Sequence, residues 1–145
     1  MEKELLTERN LNLKAYKLQD GNAYLESTFM DRHHLIQLKL EIDMAKMQIT
    51  YAEAQMSNCP FAICKSAEQL ASNLEGLVIG RGILKEITSK IGGSDGCVHL
   101  KELAIDTMTF AANSLYELRI TGLPKRKRKK EYHKMLKGTC RAFPK

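Results

Sequence analysis

The chain contains no tryptophan, and aromatic residues make up only 6% of it. Nowhere does it offer the ~20 apolar residues in a row that a membrane-crossing helix needs. It opens Met1-Glu2-Lys3-Glu4, which is charged and has no apolar stretch behind it, unlike a secretory leader. The expected compartment is therefore the cytoplasm. There its four cysteines (Cys59, Cys64, Cys97, Cys140) are thiols, metal ligands or redox groups before they are disulfides. Internal repeats, a nucleophile elbow and a Ser/His/Asp spacing are also missing. Gly80-Arg81-Gly82 is not followed by the Lys-Ser/Thr of a phosphate loop and reads as a helix-start turn.

What remains has the dimensions of one domain, 1–145, long enough to bury a core without cross-links. The hydrophobic fraction is 43% and the charged fraction 28%, and seven methionines suit an adaptable core. The net charge of +6 is local. Lys125, Arg126, Lys127, Arg128, Lys129 and Lys130 supply six positive charges; without them the balance is about zero.

Period-two alternation dominates the first half. Ile36, Leu38, Leu40 and Ile42 alternate with Gln37, Lys39, Glu41 and Asp43, which predicts a strand over Leu35–Asp43 with one dry face. Weaker alternation over 11–18 and 23–29 flanks the turn residues Asp20-Gly21-Asn22. Residues 47–51 alternate again and pair economically as a hairpin. After Cys59-Pro60 the period changes. Phe61, Cys64, Ala67, Ala71 and Leu74 recur at helical spacing, with Pro60 suited to a first helical position and Gly76 to a stop. Ile83, Ile87 and Ile91 mark a short helix. A long one is predicted over about 98–119, with Leu100, Leu103, Thr107, Phe110, Ser114 and Leu118 along its stripe. A basic helix is expected over 125–136. The fold class is α+β: a small antiparallel sheet region (11–56), a helical region (60–120) packed on it, and a basic C-terminal helix and tail (121–145).

The segment Gly96-Cys97-Val98-His99-Leu100 is the likeliest chemical centre on the residues alone. A thiol at a helix start faces unpaired backbone N–H groups and the positive dipole end, which favour thiolate, the form that binds metals and attacks sulfur. The alternative stays open that Cys97 is a small buried hydrophobe behind a tight glycine loop. His99 either joins Cys97 or points away; spacing does not decide. Cys64 lies on the apolar stripe, Cys59 just before that helix, and Cys140 in the tail. Their Cys-x4-Cys spacing is not the tight pair of a zinc knuckle. His33-His34 reads as a solvated turn, since neighbours on a strand face opposite ways.

Two resemblances follow from these residues. Asp31, Cys64 with Ala67, Leu74-Glu75-Gly76-Leu77 and above all Gly96-Cys97-Val98-His99-Leu100-Lys101-Glu102-Leu103 resemble a bacterial family of unknown function carrying a Gly-Cys-x-His-Leu signature, in which a C-terminal cysteine corresponds to Cys140. The likeness spans most of the chain and implies no activity. More distantly, the hairpin before Asn58-Cys59-Pro60-Phe61-Ala62, the Gly-ended helix and the Cys97-led helix resemble iron–sulfur scaffold and sulfur-acceptor proteins of the NifU/SufE type. That likeness implies Cys59 or Cys64, with Cys97, as ligands. The scaffold's first cysteine is absent here, with Asp31, His33 or His34 nearby instead.

The leading expectation is a metal- or sulfur-handling protein centred on Cys97, with Cys64, His99 and Cys140 as partners and Cys59 and Asp31 behind them. Zinc or iron is the expected ion and a cluster the less favoured one. The alternative is a non-enzymatic interaction module with structural cysteines, whose basic segment contacts an acidic protein. Nucleic acid is the less expected partner, because no recognisable binding motif accompanies the run.

Overall fold

The structure, a computed structural model, describes residues 1–145. Four strands form one antiparallel meander in the order β1-β2-β3-β4: β1 (Arg9–Lys17), β2 (Ala23–Asp31), β3 (Leu35–Asp43) and β4 (Gln48–Asn58). A 3-10 segment, Ala62–Leu74, follows, then the helices α1 (Ile83–Ile91), α2 (Val98–Ile120) and α3 (Lys125–Leu136). The α+β class read from the periodicity is the class observed.

The alternation dictates the dry face. Leu25 pairs with Leu40 and Phe29 with Ile36; Ile36, Leu38 and Leu40 pair in turn with Met56, Ala54 and Ala52. All are buried on the side covered by the helices. Bulges at the two ends of the β3–β4 pairing carry the alternation through a strand that runs to Asn58, seven residues beyond the predicted 47–51. No helix is long and apolar enough to cross a membrane.

The two sheet edges are treated differently. The edge of β4 is closed: the N–H groups of Met56 and Ala52 donate to the carboxylates of Glu68 and Glu75 at 2.7 and 3.1 Å, and Ile49 exchanges bonds with Leu77 and Gly76. Closing an edge in this way blocks pairing with another chain. The segment doing so is 3-10 rather than the expected α-helix. Ser66 and Ser72 donate to carbonyls three residues back, which suits the tighter turn. Ala67, Ala71 and Leu74 are buried as expected, but Phe61 and Ile63 face solvent, and the segment starts at Ala62, not at Pro60. The β1 edge is open and almost wholly exposed. Between it and the second half of α2 lies a groove of about 650 Å³ bordered by Leu13, Ala15, Phe110 and Leu118.

The buried stripe of α2 is Leu100, Leu103, Ala104, Thr107, Met108, Ala111 and Leu115. It leaves the expected Phe110–Ser114–Leu118 line halfway, and those three are only half-buried. Thr107 is the polar member of this stripe. Its hydroxyl donates to the Leu103 carbonyl at 2.6 Å and shares a 2.7 Å hydrogen bond with the hydroxyl of Ser27, the buried polar residue of β2. Helix and sheet are thus keyed together by one satisfied pair. Thr107→Val should strand the Ser27 hydroxyl and cost about 1–3 kcal/mol, whereas Ser27→Ala combined with Thr107→Val should cost less than the sum of the two single changes. Urea unfolding of the three variants checks this; strictly additive losses would remove the keying role.

Candidate metal centre

The β2–β3 connection is built by one carboxylate. Asp31, the last residue of β2, accepts at Oδ1 from the backbone N–H groups of His33 and His34, both at 2.9 Å, and its own N–H donates to the His34 carbonyl. Aspartate commonly organises a tight turn in this manner. The same Oδ1 lies 2.8 Å from Nδ1 of the His34 ring, whose side chain is only 12% exposed. His33, in the same turn, is exposed.

The N-terminal turn of α2 meets this hairpin tip. The His99 ring lies over that of His34, with centroids 3.9 Å apart, and 5.7 Å from Phe29, which floors the site. Arg9 stands opposite Asp31 in the β1–β2 register. Its guanidinium sits 4.4 Å over the Phe29 ring and reaches Asp31 at 3.7 Å and Glu102 at 3.2 Å. Asp31, His34 and His99 each offer a ligand atom, and these atoms all lie within 4.8 Å of one another. Nitrogen and oxygen ligands ~2.0–2.2 Å from a zinc ion stand about 3.4 Å apart in a tetrahedral site, so the widest pair need draw in by no more than about 1.5 Å.

His99 and Asp31 are therefore brought together, and the cysteines do not join them; no group of three that includes a sulfur converges. All four are free thiols. Cys97 is the N-cap of α2, as its position predicted, and is partly buried against the core. Cys64 is half-buried on the 3-10 segment, Cys59 donates to the Phe61 carbonyl at 3.5 Å, and Cys140 is exposed in the tail. Gly96 has a steric reason to be glycine. A Cβ there would run into the Ile91 and Gly92 carbonyl oxygens, against which the start of α2 is closed by the 2.9 Å bond from the Cys97 N–H to Ile91. Within Gly96-Cys97-Val98-His99-Leu100, then, glycine permits the close approach, Cys97 holds the N-cap position without a side-chain hydrogen bond, His99 enters the site and Leu100 enters the core.

Sequence reasoning missed Arg9 and Phe29. It read His34 on its own residues as part of a solvated turn, naming it near a site only through the scaffold likeness, whereas its side chain is 12% exposed. The signal for His34 was the Asp-x-x-His spacing of Asp31 and His34, a turn-forming aspartate placing a ring beside its own carboxylate. Arg9 and Phe29 carry no local signal, because only strand pairing brings them in.

The electrostatics favour the deprotonated forms of both Asp31 and His99. Burial pushes the Asp31 carboxyl up, but the bonds from the His33 N–H, the His34 ring and the His34 N–H outweigh it and hold the group at about 2. Burial, helped by the neighbouring His34, pushes the His99 imidazole below its ordinary 6.5. Both groups are lowered in the folded state, so the unfolded chain binds protons first and acid destabilises. His99 contributes its loss as pH falls through 6.5, and Asp31 contributes as pH falls from its ordinary 3.8 toward about 2. Urea midpoints of wild type and Asp31→Asn measured from pH 7 to 2 should converge at the acid end, with the gap closing below pH 4. A gap unchanged down to pH 2 would remove the assigned role of the Asp31 charge.

A family described as "Protein of unknown function (DUF2889)" matches residues 7–113, a span that contains the sheet, Asp31, His34 and His99. No curated protein and no solved structure matches the chain.

Proposed function

The chain belongs to the DUF2889 family, and from that premise we propose that it is a metal-handling protein whose centre is Asp31, His34 and His99. One observation carries the reading: two imidazoles and a carboxylate, from a hairpin tip and a helix start far apart in sequence, offer ligand atoms within 4.8 Å. Imidazole with carboxylate suits zinc or ferrous iron. Three protein ligands leave coordination positions for water or a substrate, whereas structural zinc sites use four. The site is thus of the open type. Asp31 Oδ1 holds the His34 ring through Nδ1, and its second oxygen lies 3.7 Å from Arg9. To serve as the third ligand Asp31 would turn its second oxygen from Arg9 to the ion and keep the bond that presents His34 Nε2.

This reading centres the site on His99 rather than on the thiol of Cys97, and the two assignments separate cleanly by experiment. Protein purified anaerobically and dialysed against Zn²⁺ or Fe²⁺ should retain about one ion per chain by elemental analysis. Cys97→Ser should retain it as well. His34→Ala and His99→Ala should each weaken binding at least tenfold, the scale seen even for outer-shell losses. Retention by both histidine variants, or loss in Cys97→Ser alone, would move the centre to the cysteine; no bound metal in wild type would end the proposal.

A further inference from the structure

We propose that α3 is a DNA-binding helix whose first half, residues 125–130, enters the major groove of duplex DNA. The residues are six consecutive cations, every one exposed. None belongs to any of the ion pairs the protein makes. Within the helix they are placed against their own interest. No acidic residue occupies the first turn, so six positive charges sit at the positive end of the helix dipole. Pairs three and four apart, such as Lys125 with Arg128 and Lys129, carry like charge, which opposes helix formation. An anion bound there removes both penalties.

The second half of α3 anchors the first. Tyr132 packs edge-on to Tyr116 of α2, with centroids 6.1 Å apart, and His133 packs at 5.2 Å on Phe143. Phe143 is brought back by a turn in which Gly138 has φ +77° and its N–H bonds the Phe143 carbonyl. Only four residues, 121–124, join α2 to α3, and a short turn of this kind lets one helix brace the next.

The shape of the charge selects the polyanion. The 100° steps spread the six charges round the helix. Lys127 and Lys130 border a cleft against Tyr116 and Arg119, and Lys125, Arg126, Arg128 and Lys129 lie on the side of Phe143, so a flat anionic surface reaches only some of them. Residues 125–130 include no apolar side chain to bury in a bilayer. Single strands are gripped by stacking on free aromatic faces, and here Tyr132 and Phe143 are already taken up by Tyr116 and His133. The B-form major groove is ~12 Å wide, admits a helix and carries phosphates on both walls; the deep, narrow groove of duplex RNA does not admit one. The matched family span ends at residue 113, so this element lies wholly outside the part that holds Asp31, His34 and His99.

Fluorescence anisotropy with a labelled duplex DNA, the same sequence single-stranded, a duplex RNA, and phosphatidylserine vesicles tests this on the full chain. Duplex DNA should bind most tightly, and its affinity should fall roughly a thousandfold between 50 and 200 mM salt, as for about six phosphate contacts. The variant K125Q/R126Q/K127Q/R128Q/K129Q/K130Q should lose binding, with helix content checked by circular dichroism, while His34→Ala should bind as wild type. A major-groove dye, methyl green, should displace the protein and a minor-groove ligand, netropsin, should not. These competitions and the salt slope use wild type, so they hold even if the variant misfolds. Preference for vesicles, single strands or RNA, a flat salt response, unchanged binding by the glutamine variant, or displacement by netropsin alone would each overturn the proposal.

Discussion

The buried hydrogen bond between Ser27 and Thr107 sets the rest of the molecule in register. It joins residues 80 positions apart and fixes where α2 lies along β2. From Ser27 the strand climbs four residues to Asp31, about 13 Å at ~3.3 Å per residue. From Thr107 the helix runs back eight residues to His99, about 12 Å at 1.5 Å per residue. The two rulers nearly match, so with strand and helix antiparallel the turn aspartate and the helix-start histidine arrive level. A helix slipped by one turn, about 5.4 Å, would carry His99 past the hairpin tip. The pair also explains why a polar stripe position survives in a face otherwise made of leucine, alanine and methionine: both hydroxyls are satisfied, so burial carries little penalty.

The sheet was legible because its inner face obeys a strict period of two, and the ends of α1 and α2 because glycine and the helix caps stand where the chain must turn. Two features were not. The 3-10 segment has an α-like spacing of buried residues, and its tighter winding is decided by what it must do: lie close on Ala52 and Ala54 while Glu68 and Glu75 reach the open amides of β4. The stripe of α2 drifts because 3.6 residues per turn does not divide the alternating three-and-four spacing evenly over 23 residues. The line through Phe110 and Leu118 ends up beside the incompletely covered β1, and the line through Met108 and Leu115 takes the core.

For the site, the sequence ranks residues by intrinsic chemistry, and the fold ranks them by arrival. Cys97 had the better local argument and His99 the better address. Both follow from Gly96, whose missing side chain lets α2 start hard against the end of α1. One residue later a cysteine takes the N-cap position of the helix. Two residues after that the chain turns an imidazole toward the hairpin. Asp31 and His34 were legible only through likeness to known families, because a histidine in a turn is ordinary until the turn is seen to be made by the carboxylate that also holds its ring.

The two candidate centres use α2 in opposite ways. Its first turn delivers His99 to the candidate metal centre, where the charged Asp31 is paired with His34 and Arg9. Its last turn ends at Ile120 and hands over, through four residues, to a helix in which charge is left unpaired. The 23 residues between span about 34 Å, well beyond the ~8–10 Å over which salt lets exposed charges feel each other. The basic helix therefore leaves the electrostatics of Asp31 and His99 untouched, and a ligand on α3 can act on the centre only through the rigid body of α2 itself.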